Sequence, residues 1–191
     1  IGREALELED DGDANVAIGY QALRNQNAGT GSAYNTAVGY QAGLDLTGGV
    51  QNLFLGGLAG QSIAGGDENT VVGMGALFTD VEGSGSVAVG HQALYYQNFT
   101  SDTNAYNVSV GKNSGLNITT GTRNSILGTF ALDNEQAGGR SVAVGYSALS
   151  AQRFTGATNA YNTAVGYAAG DNVSDGQYNT LIGGFAGDSM S

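Results

Sequence analysis

The chain has 191 residues, of which 33 are Gly and none is Pro, Cys or Trp, and its formal net charge is −11. The lack of Cys excludes disulfides and thiolate metal sites, and a single His (His91) excludes a multi-His metal centre within one chain. The acidic balance argues against nucleic acid as a partner, because phosphate binding needs clustered Lys and Arg. No apolar run is long enough for a transmembrane helix, so we expect no membrane insertion in this segment.

A nine-residue core recurs along the whole chain. Each copy opens with Asn or Ser, continues with three strand-type residues and Gly, and closes with Ala or Ser followed by Leu or Gly. The complete copies are 15–23, 35–43, 52–60, 69–77, 86–94, 107–115, 124–132, 141–149, 162–170 and 179–187. A truncated copy, IGREAL, opens the chain at 1–6. Residues 1–191 are therefore predicted to form a single repeat array of about eleven coils, cut from a longer fibrous protein.

The core keeps its length while the linkers vary, so successive anchoring glycines lie 17, 20 or 21 residues apart. The residue before each Gly is Ile, Val or Leu, and two residues earlier stands Val, Thr, Leu or Ser, which is the period-two pattern of a short strand. After the Gly, alternations such as Ala42, Leu44 and Leu46 predict a second strand. A fixed core with insertions at one place predicts an all-β, parallel β-roll or β-solenoid.

Stacking would place equivalent residues about 4.8 Å apart in columns along the solenoid. We predict that the opening Asn residues form a ladder, with side chains bonded to one another and to turn backbone. The anchoring glycines are predicted to supply a special backbone angle or a close approach. The predicted structural glycines are Gly19, Gly39, Gly56, Gly73, Gly90, Gly111, Gly128, Gly145, Gly166 and Gly183. The predicted ladder residues are Asn15, Asn35, Asn52, Asn69, Asn107, Asn124, Asn162 and Asn179, with Ser86 and Ser141 at the same place in two copies.

A coil of two short strands has a thin interior. Phe54, Leu58, Phe130, Leu181 and Phe185 nevertheless stand where other copies carry Ala or polar residues. This excess predicts a second apolar face that another chain covers, and hence self-association into a closed symmetric oligomer.

The copies NVAIGYQAL, NTAVGYQAG and SVAVGYSAL resemble the repeats of two related groups, the heads of trimeric autotransporter adhesins and the shafts of phage tail fibres and tail spikes. The resemblance covers almost the whole chain. It implies a left-handed roll assembled as an intertwined homotrimer, in a virion appendage or an extracellular, cell-surface fibre that attaches to a host. The 17-residue coils depart from the adhesin pattern, and the YQAG and YQAL forms favour the phage group.

We therefore expect a structural fibre segment, most simply a phage tail-fibre shaft, without enzymatic activity or cofactor. Its expected partners are further copies of itself and a host-surface glycan or protein. A trimeric adhesin of a bacterium or archaeon is the alternative. An ice-binding solenoid is less favoured, because the Thr column (Thr36, Thr70, Thr163, Thr180) is interrupted. A polysaccharide-degrading spike is also less favoured, because no carboxylate pair recurs.

Three long linkers, 24–34, 95–106 and 150–161, each end in Ala-Tyr and are rich in Asn, Thr and aromatic residues. Such loops on a rigid scaffold are suited to binding, and the candidate binding residues are Tyr95, Tyr96, Phe99 and Phe154. The favoured hypothesis is instead that Phe99 and Phe154 anchor contacts between chains of the oligomer.

The acidic linker 7–13 allows a Ca²⁺ loop or a solvated turn. We favour the solvated turn, without a metal, because the spacing of known calcium loops is missing.

Overall fold

The computed structural model describes residues 1–9, 12–27, 29 and 31–189. Within them the chain forms a β-solenoid of about ten turns, without a helix, in which every complete core contributes one three-residue strand to a single parallel sheet. The ten strands are Val16–Ile18, Thr36–Val38, Leu53–Leu55, Thr70–Val72, Val87–Val89, Val108–Val110, Ser125–Leu127, Val142–Val144, Thr163–Val165 and Thr180–Ile182. They follow one another in chain order, with equivalent residues paired, as Ser109 is with Ile126. The predicted all-β parallel solenoid is confirmed.

The second strand predicted after the Gly is wrong. Residues 40–45, where Ala42 and Leu44 alternate, form consecutive turns. Gln41 and Gly43 have positive φ angles of 52° and 60°. Their N–H groups donate in opposite directions, Gln41 to Tyr20 O of the preceding coil at 2.8 Å and Gly43 to Ala59 O of the next at 2.9 Å. Inter-coil hydrogen bonds therefore continue through this segment in a backbone that is not a strand.

The three long linkers form larger turns, here called the wide turns. Each adds a two-residue parallel pair to the solenoid: Gly12–Asp13 with Gly31–Ser32, Gly83–Ser84 with Thr103–Asn104, and Gly138–Gly139 with Thr158–Asn159. The insertions thus stay on one side of the coil and leave the main sheet uninterrupted.

Two of the interior positions in each coil vary in size, the middle strand residue and the last residue of the core. Ala17 is combined with Leu23 in one coil, whereas Phe54 is combined with Gly60 in another. A Cβ on Gly60 would lie 2.2 Å from the Phe54 ring, and one on Gly43 would lie 2.7 Å from it. Around Phe54, large and small residues therefore compensate one another within the coil and between neighbouring coils.

The same compensation determines whether the residue three positions after the core is apolar or polar. Where the core ends in Gly, that residue is aliphatic and buried: Leu46, Ile63, Ile118 and Val173. Where the core ends in Leu, the interior is already filled and the residue is polar: Glu9, Gln26, Asp80, Gln97, Glu135 and Gln152.

The prediction that Phe54 belongs to a second apolar face is wrong, because Phe54 is fully buried in its own chain. Leu58, Phe130 and Leu181 are partly buried, and Phe185 is exposed. Part of the uncovered apolar surface lies on the outward side of the main sheet, here called the sheet face, formed by the first and third residues of each strand. Another part consists of exposed tyrosines such as Tyr40 and Tyr167, which directly follow the anchoring Gly. The most exposed members of the sheet face are Val16, Ile18, Leu55, Val108, Leu127, Val165 and Ile182.

The opening Asn residues form a ladder between side chain and backbone. Asn52 N–H donates to Asn35 Oδ1 at 2.8 Å, and Asn69 N–H donates to Asn52 Oδ1 at 2.9 Å. The Asn52 amide nitrogen also donates to the carbonyl of Gly66 in the linker at 2.8 Å. The bonds to turn backbone are as predicted. Direct side-chain bonds within the column occur between Asn162 and Asn179 only, among the described residues.

All ten anchoring glycines have a positive φ, and all except Gly183 would bring a Cβ into contact with the backbone of the next coil, as predicted. Gly19 has a φ of +137°, and a Cβ there would lie 2.2 Å from the carbonyl oxygen of Gly39 in the next coil. Side chains rarely adopt this φ, and no Cβ tolerates such a contact. The column of glycines therefore sets how closely the coils stack.

Candidate functional site

A buried amide–carboxyl pair supports the second and third wide turns. Gln97 Nε2 donates to Asp80 Oδ2 of the preceding coil at 2.6 Å, and Gln152 Nε2 donates to Glu135 Oε2 at 2.8 Å. All four side chains are fully buried. Burial of such polar groups is costly unless each finds a partner, so the pairs are mutually dependent.

The glutamine also bridges an interruption in the Asn ladder through side chains. Ser86 stands in the ladder before Asn107 and has no side-chain carbonyl oxygen that could continue it. Gln97 donates to Ser86 Oγ at 3.2 Å and accepts from Asn107 Nδ2 at 2.8 Å. Gln152 makes the equivalent bonds in the third wide turn, to Ser141 Oγ at 3.1 Å and from Asn162 Nδ2 at 2.7 Å.

The buried carboxyl groups shape the backbone of the wide turns. Phe99 N–H donates to Asp80 Oδ1 at 2.9 Å, and Phe154 N–H donates to Glu135 Oε1 at 3.0 Å. Burial raises the pKa of Asp80, although hydrogen bonds from Gln97 and from backbone N–H groups oppose this increase. Each acid therefore holds the start of the loop in the next coil.

Phe99 and Phe154 are 7% and 8% exposed, covered by their own chain. The hypothesis that they anchor contacts between chains is therefore not supported by their position, and neither presents a surface to a ligand. Tyr95 is partly buried and stacks on Phe78, with ring centroids 4.9 Å apart. Of the four candidate binding residues, Tyr96 is the exposed one, at 47%.

The first wide turn follows the same plan only in part, because Gln26 Nε2 and Glu9 Oε2 are buried and make no hydrogen bond within the part of the chain that the structure describes. Gly12 N–H donates to Glu9 Oε1 at 2.7 Å, and Asn35 Nδ2 donates to Gln26 Oε1 at 3.3 Å. Asp10 and Asp11 of the possible Ca²⁺ loop lie outside the described residues. Across 1–9, 12–27, 29 and 31–189, no group of three or more His, Cys, Asp or Glu is placed to hold a metal ion.

An open groove of about 470 Å³ runs over the second wide turn. It crosses four coils and is lined by Thr79, Tyr96, Asn98, Asn117, Thr119 and Gln136. Tyr96 forms one wall, and its ring is held edge-on against Tyr95, with centroids 4.8 Å apart and planes at 78°. The lining is neutral: besides Tyr96 it consists of five amide or hydroxyl residues, all from the linkers and none from the sheet face.

Some polar side chains of the groove are hydrogen-bonded to the protein, and others are open, that is, without such a bond. Thr119 Oγ1 donates to the carbonyl of Gln136 at 3.1 Å, and Asn117 Nδ2 donates to the carbonyl of Asp133 at 2.7 Å. Thr79 Oγ1 is likewise bonded to backbone carbonyls. The side-chain amides of Asn98 and Gln136 make no hydrogen bond to the part of the chain that the structure describes. These two amides offer donors and acceptors to a ligand.

Sequence reasoning found the wide turns and Tyr96 but missed the acid–glutamine pairs. Their signal was present: Ala-Leu-x-x-Asp or Ala-Leu-x-x-Glu is followed 17 residues later by Ala-Leu-x-x-Gln in all three places. The groove carries no such signal, because Thr79, Asn98 and Gln136 come from different coils.

Comparison with protein-family models, with curated protein sequences and with solved structures finds no match to this chain. In the described ranges, no helix has the length and apolar character needed to cross a membrane.

Proposed function

We propose that this chain is a segment of a fibre shaft, assembled as an intertwined, left-handed homotrimer that carries a host-attachment tip. A phage tail fibre or related virion appendage is the favoured setting, with a bacterial or archaeal cell-surface adhesin as the alternative. The role is mechanical, because each coil is supported by two neighbours and resists local opening.

The sheet face is the observation that carries this proposal. Each of the ten strands contributes two outward residues, and none of them is charged in a chain of net charge −11. The third residue of every strand is Ile, Val or Leu, and Ile18, Leu55 and Leu127 in this column are 41%, 44% and 52% exposed, so the apolar column is open in a single chain. Extended apolar surface of this kind marks an interface, and a second copy offers a face with the same repeat.

The charge distribution supports the same partner. The acidic residues lie outside the main strands. Association through the sheet face therefore buries no charge, while the remaining repulsion between turns is screened by salt.

Light scattering of the purified chain tests the proposal. We expect a particle mass of three times 19.3 kDa. Leu127→Asp should reduce that mass, because it places a charge on the sheet face, whereas Gln51→Asp at an exposed linker position should leave it unchanged. A stable wild-type monomer of 19.3 kDa would contradict the proposed trimer.

The two settings differ in what the full-length gene encodes beyond this segment. A C-terminal membrane anchor would favour the adhesin, and a fibre chaperone domain would favour the phage appendage.

A further inference from the structure

We propose that the groove over the second wide turn binds a neutral oligosaccharide. Its biological setting rests on the proposed attachment function, in which the side of the shaft would bind this class of ligand. The groove volume of about 470 Å³ lies in the range of small-molecule sites.

The lining chemistry favours a polyhydroxylated, uncharged ligand. The open amides of Asn98 and Gln136 each present a donor and an acceptor, which matches a sugar hydroxyl that both donates and accepts. Tyr96 supplies a flat apolar surface with a polar rim, against which the C–H face of a sugar ring packs. None of the six lining side chains is charged, and the net charge of −11 disfavours an anionic polysaccharide.

The dimensions favour a short chain over a single sugar. The lining runs from Thr79 to Gln136 across four coils, three steps of about 4.8 Å, or roughly 14 Å in total. Because the coils are bonded to each other throughout, the groove is already formed and little ordering is needed on binding.

The chain contains its own matched comparison. The third wide turn has Ala151 and Arg153 where the second has Tyr96 and Asn98, as the register of Gln152 with Gln97 fixes. Tyr96→Ala and Asn98→Arg therefore copy residues that an equivalent turn already accommodates, and both variants are expected to fold. Tyr178→Ala removes an exposed tyrosine, 73% accessible, from a distant coil and serves as the control.

The test is an NMR titration of the ¹⁵N-labelled chain with maltotetraose, cellotetraose and N,N′,N″,N‴-tetraacetylchitotetraose, with tetragalacturonate as the anionic comparator. We expect at least one neutral tetrasaccharide to shift the amide signals of Tyr96, Asn98 and Thr119. Its affinity should fall at least tenfold in Tyr96→Ala and in Asn98→Arg, and stay unchanged in Tyr178→Ala.

Three outcomes overturn the inference: no shift with any neutral tetrasaccharide, a preference for tetragalacturonate, or binding that Tyr96→Ala leaves intact. The mass of each sample, measured in parallel, keeps this result apart from the proposed function. A trimer that binds no sugar overturns the groove alone, whereas a monomer that binds overturns the trimer alone.

Discussion

Burial and hydrogen bonding have opposite effects on the pKa of Asp80. Its carboxyl group is fully buried and accepts from the Gln97 amide and from Phe99 N–H. Burial is the larger effect and raises the pKa above the ordinary value of 3.8. The folded state therefore holds the Asp80 proton more tightly than the unfolded state does.

Asp80 should make the protein less stable as pH rises. A group with a raised folded pKa contributes stability that is complete below its ordinary pKa, 3.8, and is lost as pH rises through the folded value. Asp80→Asn removes that titration, so the decline from pH 4 upward should flatten. The variant should also lose about 1–3 kcal/mol, because an amide NH₂ faces donors that the carboxyl group accepted.

Urea midpoints between pH 4 and pH 8 measure both effects. Asp175→Asn, at an exposed linker position, is the control and should leave the slope as it is in the wild type. An unchanged slope in Asp80→Asn would show that Asp80 does not titrate differently on folding. Asp133, whose pKa burial also raises, contributes to the slope in the same direction as Asp80.

The structural roles of some residues were predictable from the sequence, and those of others were not. The anchoring glycines were predictable, because Gly recurs at one place in every copy and few physical reasons require it. Asp80 and Gln97 were not predicted, because the linkers vary and their polar residues look like solvated turns. Their burial follows from the Leu that ends the preceding core, which fills the interior and leaves the next inward position to a polar pair.

At the scale of the coil, the alternating pattern after the Gly was misleading. Two backbone conformations produce the same alternation of apolar residues. A strand and a segment in which every second residue has positive φ both direct alternate side chains inward. Leu23, Leu77 and Leu94 have φ angles of 49°, 47° and 51°. This conformation costs about 1–2 kcal/mol per residue, and the bonds to both neighbouring coils offset the cost.

Phe54 and Gly60 provide a test of compensation inside one coil. Phe54→Ala should cost about 3–5 kcal/mol, because it empties the interior of its coil. Gly60→Leu alone should also destabilise, since a Cβ there lies 2.2 Å from the Phe54 ring. The double variant recreates the Ala17 and Leu23 combination of another coil, so its cost should be about 1–3 kcal/mol below the sum.

A double-mutant cycle on urea midpoints measures this coupling. The comparison cycle combines Phe54→Ala with Gly156→Ala in a distant coil, where a Cβ meets nothing within 4 Å, and should be additive. Additive costs for Phe54 and Gly60 would contradict compensation between these two positions.

At the scale of the whole molecule, the array is one-dimensional, because each coil contacts mainly its two neighbours. The solenoid itself followed from the sequence, since a repeat of constant core length permits few other folds. The sequence did not reveal which strand residues point into the solenoid. Adjacent residues of a strand point to opposite sides, and the repeat alone does not tell which side is inside.

Gly111→Ala tests whether the array behaves as linked coils or as one cooperative unit. Gly111 has a φ of +139°, and a Cβ there would lie 2.6 Å from the carbonyl oxygen of Gly128 in the next coil. The methyl group should force these two coils apart and cost about 3 kcal/mol or more locally. Native-state hydrogen exchange should then show the largest loss of protection in Val108–Val110 and Ser125–Leu127, with smaller losses in more distant coils.

Gly156→Ala is the matched control for the same experiment. A Cβ at Gly156 meets nothing within 4 Å, so the exchange pattern should not change. If Gly111→Ala instead lowered protection equally from Val16–Ile18 to Thr180–Ile182, the ten strands would unfold as one unit. A graded loss means that a solenoid damaged at one coil keeps its structure on both sides, because the columns of Gly, Asn and interior residues are independently supported in each half.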